Sequence, residues 1–260
     1  MAELLVRRDG PVGRVIFSNP EKFNAMTQDM WAALPAALQE LDADPVIRVI
    51  VLQGEGSRAF VSGADISQFK EQRTDPVAQK RYNGIVEAAY LAPTQCSKPV
   101  IASIRGICMG GGLGLAAACD LRIAAQGARF RMPAARLGLG YNVGGIKRFM
   151  AVIGAQNTLD IFFSARIFGA SEAREMGFLN RVVEPGELDK TVNDYCALLA
   201  DNAPLTMAAA KKTVVELIKD PADRDEEAMA AAIAACNTSD DYREGAQAFM
   251  EKRLPQFSGK

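Results

Sequence analysis

The sequence predicts an α/β core followed by a helical appendage, and three observations predict it. Apolar runs rich in β-branched residues alternate with helical periodicities through about residue 195. From Pro185 onward the pattern is helical alone. No strict repeat or low-complexity stretch interrupts the 260 residues, and 49% hydrophobic content is enough to fill a sizeable core. Strands that alternate with helices form a sheet covered by those helices, which implies a core over 1–195 and a helical C-terminal region over 196–260.

The elements follow in order. "LLVRR" and "RVIFS" alternate apolar residues on either side of "DGPVG" and read as a hairpin. Thr27 is placed to cap a helix through residue 41, in which Pro35 lacks an N–H and is expected to kink the chain. "VIRVIVLQG" is a strand, and the glycine-punctuated "GEGSRAFVSGADI" follows it. Residues 77–92 carry a helical pattern, and "KPVIASIRG" is the next strand. "GICMGGGLGLAAACD" then turns from strand to helix, although each glycine costs a helix interior about 1 kcal/mol relative to alanine. "DLRIAA" and "ARFRMP" are strands around "QGA", and "RLGLGYNVGG" is a second glycine-rich loop. Ser171 opens a short capped helix that stops at Gly177, "FLNRVV" is a late strand, and helices cover 187–199, 205–218, 226–236 and 241–253.

Composition removes whole classes of function. Thirty Lys and Arg against 31 Asp and Glu give a net charge of -1 with no long run of one sign, so no nucleic-acid partner is expected. "MAELLVRRDG" lacks the apolar region of a signal peptide, and no stretch approaches about 18 apolar residues, so the expectation is a soluble cytoplasmic protein without a membrane partner. Five cysteines without paired spacing read as reduced, mostly buried thiols. The chain has no histidine, which excludes Ser-His-Asp and Cys-His triads, the common zinc sites and the usual base near neutral pH. Chemistry is left to carboxylates, Tyr, Lys, Cys and backbone dipoles.

The glycine turn at 110–114 has two functional readings. Gly112, Gly114 and Ala117 fit G-x-G-x-x-A, but a dinucleotide site needs an acid about 20 positions on, and "RMPAAR" offers none. The other use of such a turn is to present an uncovered amide to developing negative charge at a helix N-terminus. A second turn, "FVSGADI", places Gly63 before Ala64, so two amides could grip one oxygen. On the residues alone, two tight turns packed on neighbouring strands are the better explanation of the glycines.

The order "AFVSGADI", "KPVIASIRGICMGGGLGLAAACDLRIAA", "FRMPAARLGLG" and "FMEKRLPQF", in a chain whose similarity begins at "NPEKFNAM", resembles the enoyl-CoA hydratase/isomerase family, the crotonases. The resemblance implies a crotonase-like spiral of strand-strand-helix turns with an α-helical C-terminal trimerisation region. It also implies a homo-oligomer, either a trimer or a dimer of trimers. The partner it implies is an acyl-CoA thioester, with coenzyme A as part of the substrate and no separate cofactor or metal. Members polarise the thioester carbonyl with two backbone amides and stabilise an enolate. By motif these amides are those of Ala64, after the glycine of "SGAD", and Gly111, the middle glycine of the triplet. Contacts to CoA carry over to Lys22, Phe23 and Ala25 of "PEKFNA", to Ala64, Asp65 and Ile66, to Gly111, and to Phe249 and Lys252, which in relatives can reach a neighbouring subunit's ligand.

Two positions depart from the family's pattern. Family hydratases keep one glutamate three residues after the oxyanion glycine and a second after the proline of the next motif. Here those positions are Gly114 and Ala134. Losing one positioned acid or base costs roughly 10²- to 10⁴-fold, so efficient standard hydration is not expected. No Asp or Glu occurs from Leu121 to Leu159, which strains an isomerase assignment as well. "LGLGYNVGGI" resembles the methylmalonyl-CoA decarboxylase branch, in which the tyrosine orients a carboxylate for loss. That resemblance implies the role for Tyr141, although the branch has His in place of Ala64 and an acid in place of Gly114. The plain alternative for Tyr141 is a pocket wall with its hydroxyl bonded to backbone. Asp65 and Asp120 read as caps or turn residues, Asn142 as a turn residue and Arg136 as a surface charge. Three functional readings result: a lyase or isomerase of CoA thioesters in fatty acid metabolism, a decarboxylase of a malonyl-type CoA thioester, and a non-catalytic acyl-CoA-binding protein.

Overall fold

The computed structural model describes residues 2–65, 67 and 75–260. Strands β1 (Glu3–Asp9) and β2 (Val12–Ser18) form the expected antiparallel hairpin, turning at Gly10 with φ +57°. Helix α1 (Gln28–Ala43) starts at Thr27, whose hydroxyl accepts from the Met30 N–H at 3.3 Å. It continues past Pro35, which lies inside it. One missing N–H is outweighed here by the buried face of Met30, Trp31, Leu34, Leu38 and Leu41.

Three strand-strand-helix turns then repeat. They are β3 (Val49–Gly54), β4 (Ala59–Val61) and α2 (Pro76–Gln95); β5 (Val100–Ile104), β6 (Ile107–Met109) and α3 (Gly111–Ala118); and β7 (Leu121–Ala125), β8 (Arg129–Arg131) and α4 (Val143–Ser164). In every turn the first strand joins one sheet and the second strand joins another. The larger sheet has the order β1-β2-β3-β5-β7-β10, with β10 at Arg181–Val183, and is parallel from β2 onward. The smaller has the order β4-β6-β8-β9, with β9 at Phe168–Gly169. This stacking is the strand-strand-helix spiral that the sequence implies.

Both faces of the larger sheet are covered, which explains the near-continuous apolar runs of its strands. Ile50, Leu52, Val100, Ala102, Ile104 and Ala124 enter the main core with α1, α2 and α3. Their alternating neighbours Val49, Val51, Ile101, Ile123 and Ala125 pack against Leu188, Val192 and Cys196 of helix α6 (Leu188–Ala200). Helix α5 (Ala170–Glu175) starts from Gly169 without a side-chain cap, so Ser171 lies inside it instead of opening it. Gly177, at φ +80°, follows its end as expected. Helices α7 (Pro204–Ile218), α8 (Glu226–Thr238) and α9 (Asp240–Glu251) complete the C-terminal segment. Lys211 of α7 ties that segment to the core by donating to Pro93 O, Lys98 O and Asp120 Oδ2 at 2.7, 2.9 and 2.7 Å. Among the described residues no helix is long and apolar enough to cross a membrane.

Candidate active site

The two glycine turns meet where the spiral stacks one repeat on the next. The segment before α1 is fixed first. Asn24, buried and at φ +56°, donates to Glu55 O and Ala59 O, and its Oδ1 accepts from the Asn19 N–H. Asparagine tolerates this left-handed geometry because its short polar side chain bonds locally. Met26 then forms a parallel bridge with Ala64: its N–H donates to Gly63 O at 2.8 Å and its carbonyl accepts from the Asp65 N–H at 2.9 Å. In such a bridge the central residue's own N–H faces the opposite edge, so Ala64 directs its amide away from Met26.

The Gly63 turn lies against the start of α3. A Cβ built on Gly63 would sit 3.5 Å from Met109 O and 3.8 Å from the Gly111 N, and one on Gly110 would sit 4.0 Å from Gly63 Cα. Gly63 (φ +123°) and Gly110 (φ +51°) both occupy backbone conformations that favour glycine. Gly111 is the first residue of α3, where an N–H has no intrahelical acceptor. Among the described residues neither the Ala64 nor the Gly111 N–H appears in a hydrogen bond. Two uncommitted amides therefore stand on touching turns, one of them at the positive end of a helix.

The glycines of α3 also answer to packing. A Cβ on Gly112 would lie 2.1 Å from the Val61 carbonyl oxygen, and one on Gly111 would lie 3.0 Å from the Trp31 ring. At Gly114 a Cβ would meet the Tyr141 hydroxyl at 2.6 Å and the Tyr90 hydroxyl at 3.0 Å. Two tyrosine hydroxyls thus converge on the place of the missing side chain. Tyr90 is held edge-on by Trp31 at 5.5 Å, and its hydroxyl donates to Gly111 O at 3.3 Å. Tyr141 packs edge-on to Phe162 and Phe149 at 5.1 and 6.3 Å. Among the described residues its buried hydroxyl has no hydrogen-bond partner, so the backbone bond of the plain reading is not made. Burial raises the Tyr141 hydroxyl above its ordinary value, against the pull of Tyr90 and of the Arg148 charge, and burial raises Tyr90 as well.

The remaining candidates divide into two groups. Lys22 donates to Asp65 Oδ2 at 2.8 Å and to Ser67 Oγ at 2.9 Å, while Asp65 also accepts from the Ser67 N–H, so Asp65 is the turn residue expected. Phe23 lies beneath the Arg58 guanidinium at 4.0 Å, and Ala25 is buried with its carbonyl accepting from Asn19 Nδ2. These residues border the Ala64 turn. Ile66 lies outside the described residues. Phe249, 86% exposed, and Lys252 are carried on and just after α9, joined to none of the other candidates by a bond or ion pair among the described residues. Ala134 is buried at the start of a 3₁₀ turn, Arg136 is exposed, and Asp120 accepts from the Val100 N–H and Lys211. Asn142 caps α4 by accepting from the Gly145 N–H at 2.6 Å.

Tyr90, Trp31 and Arg148 went unnoticed in the sequence. Arg148, on the second turn of α4, is half-buried with its guanidinium 5.7 Å from the Tyr90 ring. Glu87, one turn before Tyr90 on α2, is exposed at the Gly144 end of the loop. No motif marks these residues, because three elements distant in sequence bring them together. Among the described residues no group of three or more Cys, Asp or Glu is placed to hold a metal ion.

The family model described as enoyl-CoA hydratase/isomerase matches residues 7–260. The chain belongs to the enoyl-CoA hydratase/isomerase family. It is 30% identical to the short-chain-enoyl-CoA hydratase of Clostridium acetobutylicum, over 96% of this chain and 95% of that protein. It is also 30% identical to the peroxisomal Delta(3,5)-Delta(2,4)-dienoyl-CoA isomerase of Arabidopsis thaliana, over 96% and 94%. Among solved structures it is similar to an enoyl-CoA hydratase/carnithine racemase from Magnetospirillum magneticum, with a TM-score of 0.94, 32% identity and coverage of 100% and 97%. An enoyl-CoA hydratase from Bacillus anthracis matches with a TM-score of 0.91, 26% identity and 99% coverage of both chains. The enoyl-CoA hydratase/isomerase fold is therefore kept along the whole chain.

Proposed function

We propose that this chain binds an acyl-CoA thioester and stabilises its enolate with the amides of Ala64 and Gly111. The observation that carries the proposal is the contact of the Gly63–Ala64 turn with the Gly110–Gly111 turn, each with an N–H that no hydrogen bond uses among the described residues. A thioester oxygen held there gains from both donors and from the α3 dipole, and one such donor contributes roughly 3 to 4 kcal/mol in the transition state. Relatives named as hydratases and as an isomerase act on CoA thioesters, which supports the substrate class.

The step after the enolate differs from standard hydration in this reading. The positions of the two family glutamates hold Gly114 and Ala134, and tyrosine hydroxyls occupy the space at Gly114. The unpartnered Tyr141 hydroxyl favours a second reading, decarboxylation of a malonyl-type thioester. There the bond from Cα to the carboxylate breaks, its electrons pass into the enolate held by the two amides, carbon dioxide leaves, and Cα later takes a proton. Such a step needs no base to begin.

The test is turnover of crotonyl-CoA, methylmalonyl-CoA and a β-keto acyl-CoA, with binding measured alongside. Conversion of any of them is the result expected. Retained binding with no conversion of the whole panel contradicts the enzyme reading and leaves a binding protein. For the second reading, decarboxylation unchanged in Tyr141→Phe would remove the role given to that hydroxyl.

A further inference from the structure

We infer that Arg148 and the Tyr141 hydroxyl form a carboxylate-recognising end of the acyl pocket, so that the preferred ligands are CoA thioesters whose acyl group carries a free carboxylate. The inference rests on the acyl-CoA reading above and names the substrate class of that same site. It concerns binding and holds whether or not the carboxylate is then lost.

Arg148 is the first observation. Its guanidinium is half-buried over the face of Tyr90, and among the described residues no hydrogen bond or ion pair engages it. A guanidinium drawn out of water without an acceptor is costly, and its planar fork matches a carboxylate with two parallel bonds. The Glu87 charge acts on it from α2 without closing an ion pair.

Tyr141 is the second, independent observation. Its hydroxyl is buried with its donor unused among the described residues, where most buried polar atoms are satisfied. The hydroxyl points at Gly114, three residues beyond the Gly111 amide, and Arg148 acts on both tyrosines of the pair. A charged donor over the Tyr90 ring and a neutral donor that meets Tyr90 at Gly114 therefore stand together within one helical turn of the Gly111 amide.

The third observation is the lack of carboxylates in the segments around Tyr141. Gly114 and Ala134 carry no carboxylate, and the sequence from Leu121 to Leu159 has neither Asp nor Glu. Glu87, exposed at the Gly144 end of the loop, is the carboxylate whose charge reaches Arg148. With none at Gly114 or Ala134, repulsion of an anionic acyl group is reduced on that side, and removal of repulsion contributes to specificity as much as added attraction.

The experiment compares equilibrium dissociation constants by calorimetry for malonyl-, methylmalonyl- and succinyl-CoA against acetyl-, propionyl- and butyryl-CoA at one ionic strength. The expected result is at least about tenfold tighter binding of one or more carboxylated ligands than of its uncharged counterpart, the scale of one charge-assisted hydrogen bond. Arg148→Gln is expected to bring that ratio close to one, Arg148→Lys to restore part of it, and Tyr141→Phe to reduce it. Should Arg148→Gln fail to fold, Arg148→Lys and Tyr141→Phe read the same ratio, which a purely structural role would not move. A ratio of one in the wild-type protein, or a preference untouched by all three substitutions, overturns the inference and leaves the acyl-CoA reading standing. No binding of any thioester overturns both.

Discussion

A single added carbon at Gly114 would press on the Tyr141 hydroxyl at 2.6 Å, so the residue is a packing requirement. Gly114→Ala gains about 1 kcal/mol of helix propensity and loses more to that contact. We expect a net destabilisation in urea unfolding that shrinks in a Tyr141→Phe background, because the oxygen it meets is gone. Strict additivity of the two changes would contradict this coupling. Gly112→Ala meets a backbone carbonyl at 2.1 Å and has no side chain to displace, so a loss of about 3 kcal/mol is expected on the same assay. Much of this was legible in advance: the glycine triplet and "SGAD" identify the two turns, and Gly114 and Ala134 stand where the family resemblance implies acids. The residues that fill the space were not legible. Tyr90, Trp31 and Arg148 belong to three separate helices, and only the tertiary fold brings them to one place.

At the scale of elements, the helical segment is fastened by charge. Asp120 is raised by burial and drawn back down by Lys211, which is itself 9% exposed. Lys211→Met leaves that carboxylate and the Pro93 and Lys98 carbonyls without their donor, and about 3 to 5 kcal/mol of stability should be lost. Lys211→Met combined with Asp120→Asn should recover part of it. Glu216, buried at the end of α7, is lowered from 4.5 to about 2 by Lys219 and by the Asp225 N–H. A folded value below the unfolded one contributes stability above pH 4.5 that is lost as pH falls through about 2. Acid unfolding of Glu216→Gln should therefore differ from wild type above that window and merge with it below. Strands and C-terminal helices were readable because their apolar periods are regular. Helix α4 was not: Gly144, Gly145 and Gly154 punctuate it, and Gly154 departs from helical geometry at φ +74°. Its start was hidden in a glycine loop that Asn142 converts into a cap.

Across the whole molecule, the spiral puts the strand-to-helix turns of successive repeats in contact, which is why one residue pattern recurs at 63–64 and 110–111. The same fold leaves apolar side chains uncovered on its last helix and tail: Met250 is 76% and Leu254 88% exposed. Surfaces of this kind belong in interfaces, and we expect sedimentation equilibrium to give a trimer or a dimer of trimers. Met250→Asp with Leu254→Asp should shift the mass toward the monomer. The central claim, however, concerns one oxygen held by two backbone amides. The most direct measurement is the carbonyl stretch of a thioester labelled with carbon-13 at C1, by isotope-edited infrared difference spectroscopy of the bound acyl-CoA. Polarisation by the Ala64 and Gly111 amides predicts a stretch at lower frequency than that of the same thioester in water. A bound thioester whose stretch is unshifted, or raised, would contradict it.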